Sequence, residues 1–118
     1  MLAVTNASAA SAAAAEAFAD PIRRRLVERL SERPQSVTEL AADLPVSRSA
    51  VSQHLSVLAG AGLVGYDVHG RRHLYHVEPD GLEGLRAYLD RLWDSALSSY
   101  ARLTESSRAI ADHEEKRP

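Results

Sequence analysis

VSRSAVSQHLSVLAGAGLV, running from Val46 to Val64, decides how the chain is read. Val51, Leu55 and Leu58 recur at helical spacing and give one apolar face. Ser47 stands at the N-cap, where a side-chain oxygen can accept from the free backbone N–H groups of a first turn. With the three apolar residues inward, the same spacing turns Arg48, Ser49, Ser52, Gln53 and Ser56 outward and leaves His54 beside the buried stripe. Gly60 and Gly62 then end the helix.

Upstream, Ser36-Val37-Thr38-Glu39 matches a capping box, in which serine and glutamate satisfy each other's backbone donors. Val37, Leu40, Ala41 and Leu44 follow at i, i+3, i+4, i+7, and Pro45 stops this short helix. Two short helices joined by a few turn residues, the second richer in polar groups, form the helix-turn-helix pattern. Asp20-Pro21 begins an earlier helix with an N-cap and a first-turn proline. Its stripe is Ile22, Leu26, Val27 and Leu30, flanked by Arg23, Arg24, Arg25 and Arg29, and Arg33-Pro34 closes it. The segment from about Ser8 to Ala19 is alanine-rich with Phe18 its one large side chain, helical by propensity but able to bury little alone.

Downstream, the period changes to two. Leu63 to Val68 and Arg72 to Val77 read as strands, with His69-Gly70 as the turn and Arg71 and Arg72 at the tip. Pro79-Asp80-Gly81 breaks the hairpin. Leu82, Leu85, Leu89, Leu92, Trp93, Ala96, Leu97, Tyr100 and Leu103 then stripe a helix of roughly 22 residues, about 33 Å long. The fold class is mainly α (α+β): a winged helix-turn-helix with a two-stranded wing and terminal dimerisation helices. It divides into an alanine-rich N-terminal helix or arm (1–17), the winged domain with its closing helix (18–104) and a polar, flexible tail (105–118).

The net charge of −2 conceals a basic centre. Residues 21–76 hold eight arginines against five acids, a net +3, while residues 1–20 carry −2 and residues 77–118 carry −3. A local footprint of this kind matters more to phosphate binding than the overall balance. Absence of cysteine removes disulfides, thiolate metal sites and cysteine nucleophiles. No run of about 18 apolar residues offers a membrane span, and the alanine-rich start lacks the basic segment of an export signal, so a cytoplasmic location is expected.

The segments FADPIRRRLVERL, VTELAADL, SRSAVSQHLSVLAGAGLV and HGRRHLYHV resemble those of the ArsR/SmtB family of bacterial transcriptional regulators, over residues 18 to about 100. The closing RAYLDRLWDSAL is similar to the branch whose last helix carries a tryptophan and no metal ligands. The resemblance implies a homodimer joined by the first and last helices, and a repressor on an inverted-repeat operator, although activation through the same contact stays open. Composition agrees, because an alanine-rich helix and a long apolar stripe exceed what a 118-residue monomer covers. Two recognition helices would meet successive major grooves about 34–36 Å apart.

The expected double-stranded DNA contacts are Ser47, Arg48, Ser49, Ser52, Gln53, His54, Ser56, Arg71 and Arg72. Arg48 suits guanine or phosphate, Gln53 can pair with adenine, and the serines can donate to phosphate. His54 serves equally as a packed histidine; Arg23, Arg24 and Arg25 form a basic run of the kind that is usually a solvated face, and only part of it can point toward DNA. Arg71 and Arg72 suit phosphate or the minor groove.

No cofactor is expected. In thiolate-sensing relatives a Cys-x-Cys motif follows the Glu-Leu of the scaffold helix, where this chain has Leu40-Ala41-Ala42-Asp43. The long helix has Asp90 and Asp94 but no histidine between Leu82 and Leu103, so the zinc and nickel set of other relatives is missing. A weak surface nickel or zinc site remains the alternative. His69 and His73 would approach across the hairpin near Asp67, with His76 on the opposite face and His113 in the tail. An enzyme is disfavoured by the lack of a glycine-rich phosphate loop, nucleophile elbow or His-Glu-x-x-His. A protein-interaction module would favour aromatic anchors over Arg48 and Gln53, though a protein co-regulator remains compatible with the DNA reading.

Overall fold

The computed structural model describes the backbone from Leu2 to Glu115 and the side chains of residues 9–111. In chain order the elements are α1 (Leu2–Phe18), α2 (Pro21–Glu32), α3 (Val37–Ala42), α4 (Arg48–Gly60), β1 (Val64–His69), β2 (Arg72–Val77) and α5 (Pro79–Glu115). The capping signals operate as their chemistry dictates. Asp20 accepts from the N–H groups of Ile22 and Arg23, Ser36 and Glu39 close a reciprocal capping box, and Ser47 accepts from Ala50. The starts of α2, α3 and α4 are thereby set by a side chain within three residues of the donors it satisfies.

Residues up to Tyr88 form one compact unit. Leu26, Leu40, Val51, Leu55, Leu58 and Leu63 are fully enclosed, one or more from each of α2, α3 and α4 and one from the turn into β1. Ala14 and Ala17 of α1 are buried too, so the alanine-rich helix finds its cover on α2 and α4: small side chains let backbones approach closely. Leu85 in the first turns of α5 completes this core.

The wing is antiparallel, registered Val64↔Val77 through His69↔Arg72. The turn is therefore Gly70-Arg71, one residue later than His69-Gly70, with Gly70 at φ +64°, where a side chain would be strained. The wing also gains a third partner, because Gln35 and Tyr75 exchange both backbone hydrogen bonds, at 3.0 and 2.9 Å.

Three element boundaries differ from expectation. Helix α1 begins at Leu2, well before Ser8. Helix α3 ends at Ala42, ahead of Pro45, since the Asp43 N–H turns back to the Ala41 carbonyl and Leu44 is buried just beyond the helix. Helix α5 spans 37 residues in place of about 22, so residues 105–115 of the expected flexible tail are helical. No glycine or proline lies between Leu103 and Glu115, and alanine, arginine and glutamate there favour helix. The side chain of His113 lies outside the described residues.

From Leu89 onward α5 forms a second unit by itself. Its apolar stripe is uncovered, with Trp93 at 66%, Tyr100 at 70% and Leu103 at 68% exposure, and Ile110 prolongs it one heptad further. Among the described residues no helix is long and apolar enough to cross a membrane.

Gly81 shows how tightly α5 begins. A Cβ there would run into the carbonyl of Gly62, whereas one at Gly84 would meet only the Ser11 hydroxyl at 3.7 Å. Gly81→Ala is therefore expected to destabilise by about 1–3 kcal/mol through backbone displacement. Gly84→Ala should instead gain about 0.5–1 kcal/mol from helix propensity. Urea unfolding of the two variants checks the opposite signs.

Candidate nucleic-acid interface

Helix α4 is fixed in rotation by Val51, Leu55 and Leu58, none of which is accessible. Ser47, Arg48, Ser49, Ser52, Gln53 and Ser56 are consequently exposed along one side. Among the described residues Arg48, Ser49, Ser52, Gln53 and Ser56 have no intramolecular side-chain partner. Ser47 uses an oxygen lone pair on the Ala50 N–H at 3.1 Å, so its hydroxyl proton is still available to a ligand. The first turn of α4 holds no acid, leaving the positive end of the helix dipole without a counter-charge from its own sequence.

The wing stands beside this face. A groove of about 550 Å³ is lined by Ser36, Val37, Thr38, Glu39, Ser52, Arg71, Arg72, His73 and Tyr75. Ser52 of α4 and Arg71 of the turn thus share one concavity, which is how the structure brings the helix and wing candidates together.

Arg72 departs from the expected pair of free tip arginines. Its Nη2 donates to Glu39 Oε1 at 2.6 Å and to Ser36 Oγ at 3.5 Å, while Arg33 Nη1 donates to Glu39 Oε2 at 2.9 Å. The Arg33 guanidinium, and after it the Ser36 bonds of the capping box, hold the Glu39 pKa down at about 2.

His54 faces away from the groove residues toward α2. Its Nδ1 lies 3.5 Å from Arg23 Nη1; a guanidinium only donates, so the neutral ring's proton is assigned to Nε2. Arg23 Nε also donates to the Ala17 carbonyl at 2.6 Å, and Arg24 to the Ala19 carbonyl at 2.6 Å. These two arginines satisfy carbonyls at the end of α1, whereas Arg25 is exposed.

The approach of His69 and His73 on which the alternative surface metal site would depend does not occur. His73 pairs with Val68 and stacks on Tyr66 at 4.5 Å, while His69 pairs with Arg72 on the opposite face. His76 lies between Asp67 and Glu78, at 3.4 and 3.3 Å, one carboxylate to each ring nitrogen. Among the described residues no group of three or more histidines and carboxylates is arranged around a common metal position.

The assembly of a capped recognition helix, a scaffold helix and a basic-tipped wing has counterparts among known proteins. Residues 20–66 match the profile described as "Bacterial regulatory protein, arsR family". The HTH-type transcriptional regulator Rv2034 of Mycobacterium tuberculosis is 54% identical over 91 residues, covering 77% of this chain and 85% of that protein. The chain belongs to the ArsR family of transcriptional regulators. A crystal structure of a "Possible transcriptional regulator for arsenical resistance" superposes at TM-score 0.64 with 46% identity, over 71% of this chain and 92% of that one. The homodimeric winged helix-turn-helix DNA-binding domain of Mb0332 from Mycobacterium bovis shares the fold at TM-score 0.61 and 21% identity, over 83% of this chain and 88% of that one.

Gln35 and Glu39 are not among the site residues expected from the sequence, and Arg23 is there an ambiguous phosphate contact, yet the three link the wing and the α4 flank to the scaffold of this ArsR-family regulator. Of Gln35 and Glu39, Glu39 alone carries a local signal, as the last residue of a capping box. Because its folded pKa is depressed, its stabilising effect is full above the unfolded value near 4.5 and declines as pH falls toward about 2. The stability difference between wild type and Glu39→Gln should therefore shrink steadily from pH 5 to pH 2. Urea midpoints over that range check it; a constant difference would contradict it.

Proposed function

We propose that this regulator is a cytoplasmic homodimeric repressor that binds an inverted-repeat operator by placing α4 in the major groove. The observation that carries the reading is the outward face of α4. Five hydrogen-bonding side chains, each without a partner among the described residues, stand on a helix whose opposite face is sealed into the core. An exposed polar face can be mere solvation. Here it adjoins a dipole end without acids and a groove bearing Arg71, and those features favour a polyanion.

Within that reading, Arg48 and Gln53 carry base contacts, bidentate to guanine and adenine respectively. Ser47, Ser49, Ser52 and Ser56 donate to phosphate or base edges, and Arg71 meets phosphate from the wing. The second subunit is required by the uncovered α5 stripe: Leu89, Leu92, Trp93, Leu97, Tyr100 and Leu103 lie 47–70% exposed, an apolar surface that a second copy would cover. Repression then needs nothing beyond occupancy of a promoter.

Fluorescence anisotropy of the full chain on its own upstream region, against a scrambled duplex, tests the DNA contact. Preferential binding that weakens steeply with salt is expected. Gln53→Ala should reduce the preference for the upstream duplex by about 1–3 kcal/mol. Equal binding to both duplexes by wild type would remove the reading. Leu92→Glu should yield a monomer by sedimentation equilibrium and lose tight DNA binding together with dimerisation; a variant that stays dimeric would refute the stripe as the interface.

A further inference from the structure

Arg71 and Arg72 are neighbours in sequence and both are exposed, but their chemistry differs. Arg71 sits in the turn and has no partner among the described residues, whereas Arg72 begins β2 and reaches back to the scaffold. We propose that Glu39 and Arg72 form a clamp that sets the wing against α3, so that Arg72 is a positioning residue and Arg71 alone of the pair engages phosphate. The proposal rests on the DNA-binding reading for its consequence but not for its geometry.

The base of the wing is anchored to the scaffold by backbone, through Gln35 with Tyr75, while the Glu78 N–H bond to the Leu63 carbonyl at 2.9 Å extends the strand ladder itself. Arg72 lies three residues nearer the tip, roughly 10 Å further along the strand. There the described side-chain links to the scaffold are those from Arg72 to Glu39 and Ser36. Glu39 in turn is held from its other oxygen by Arg33, at the end of α2. One carboxylate therefore joins α2, α3 and β2.

Electrostatics favours retention of this clamp on DNA. Glu39 lines the same groove as Arg71 and Ser52. Were Arg72 to leave for a phosphate, a carboxylate would face an incoming polyanion with one fewer compensating charge. Keeping Arg72 on Glu39 masks that carboxylate and fixes the groove's width, and thus the distance from Arg71 to α4.

Two readouts on the full chain test this. Glu39→Gln is the clean variant, because glutamine still closes a capping box but cannot form the charged pair. In the free protein, Glu39→Gln and Arg72→Ala should each speed hydrogen exchange of the β1–β2 amides while leaving the α4 core amides unchanged, and Arg71→Ala should do neither. On the upstream duplex, Glu39→Gln and Arg72→Ala should each weaken binding by roughly 2- to 5-fold per protomer without altering the salt slope. Their double variant should be no worse than either alone. Arg71→Ala should lower the slope of log affinity against log salt by about 0.9 per protomer.

The clamp is overturned if wing exchange is insensitive to Glu39→Gln, or if Arg72→Ala reduces the salt slope as Arg71→Ala does. Should wild type show no salt-dependent DNA binding, the DNA reading falls, and the exchange data still decide whether the clamp exists.

Discussion

Everything outward-facing in this regulator depends on the burial of Val51, Leu55 and Leu58. These residues are spaced so that α4 can sit in the core in one rotation only, and each is inaccessible. A different rotation would expose one of them, at a cost of about 1.5–3 kcal/mol for a side chain of that size. The polar groups opposite are thus presented by the core and need no contacts of their own. That is why Arg48, Ser49, Ser52, Gln53 and Ser56 can stand without internal partners and yet keep a defined direction.

Polar contacts complete what the core begins. The wing is two strands wide and could not hold itself, since an isolated hairpin is marginal in water. Gln35 solves part of this: it pairs with Tyr75 through its backbone while its side chain donates to the Arg29 carbonyl at 2.9 Å. Glu39 adds the side-chain link toward the tip. On the other flank, Arg23 connects the end of α1 to His54, so the first helix touches both α2 and the helix that carries the candidate contacts.

Much of this order could be read from local sequence because its signals are local. An N-cap, a capping box and an i, i+3, i+4, i+7 stripe each involve residues within one or two turns, and Asp20, Ser36, Ser47 and the α2 and α4 stripes appear where those rules put them. Contacts across 31 to 40 positions, such as Arg23 with His54, Arg72 with Glu39 and Gln35 with Tyr75, depend on tertiary register and left no local trace. The relative placement of the wing histidines was not legible for a related reason. Opposite faces alternate at every residue of a strand, so face assignments follow from the pairing register; His69 pairs with Arg72, and His73 points the other way. The helix beyond Leu103 has a polar composition that resembles a disordered tail, although its residues favour helix and no glycine or proline interrupts them.

The most direct measurement is guanine-methylation interference over the upstream region bound by the full chain. Two recognition helices related by a twofold axis should make methylation inhibitory at two major-groove patches, about 10–10.5 base pairs apart from centre to centre or a multiple of that spacing, in inverted orientation. Interference at a single patch, at patches in direct repeat, or nowhere in the major groove would contradict a dimer that reads DNA with the outward face of α4.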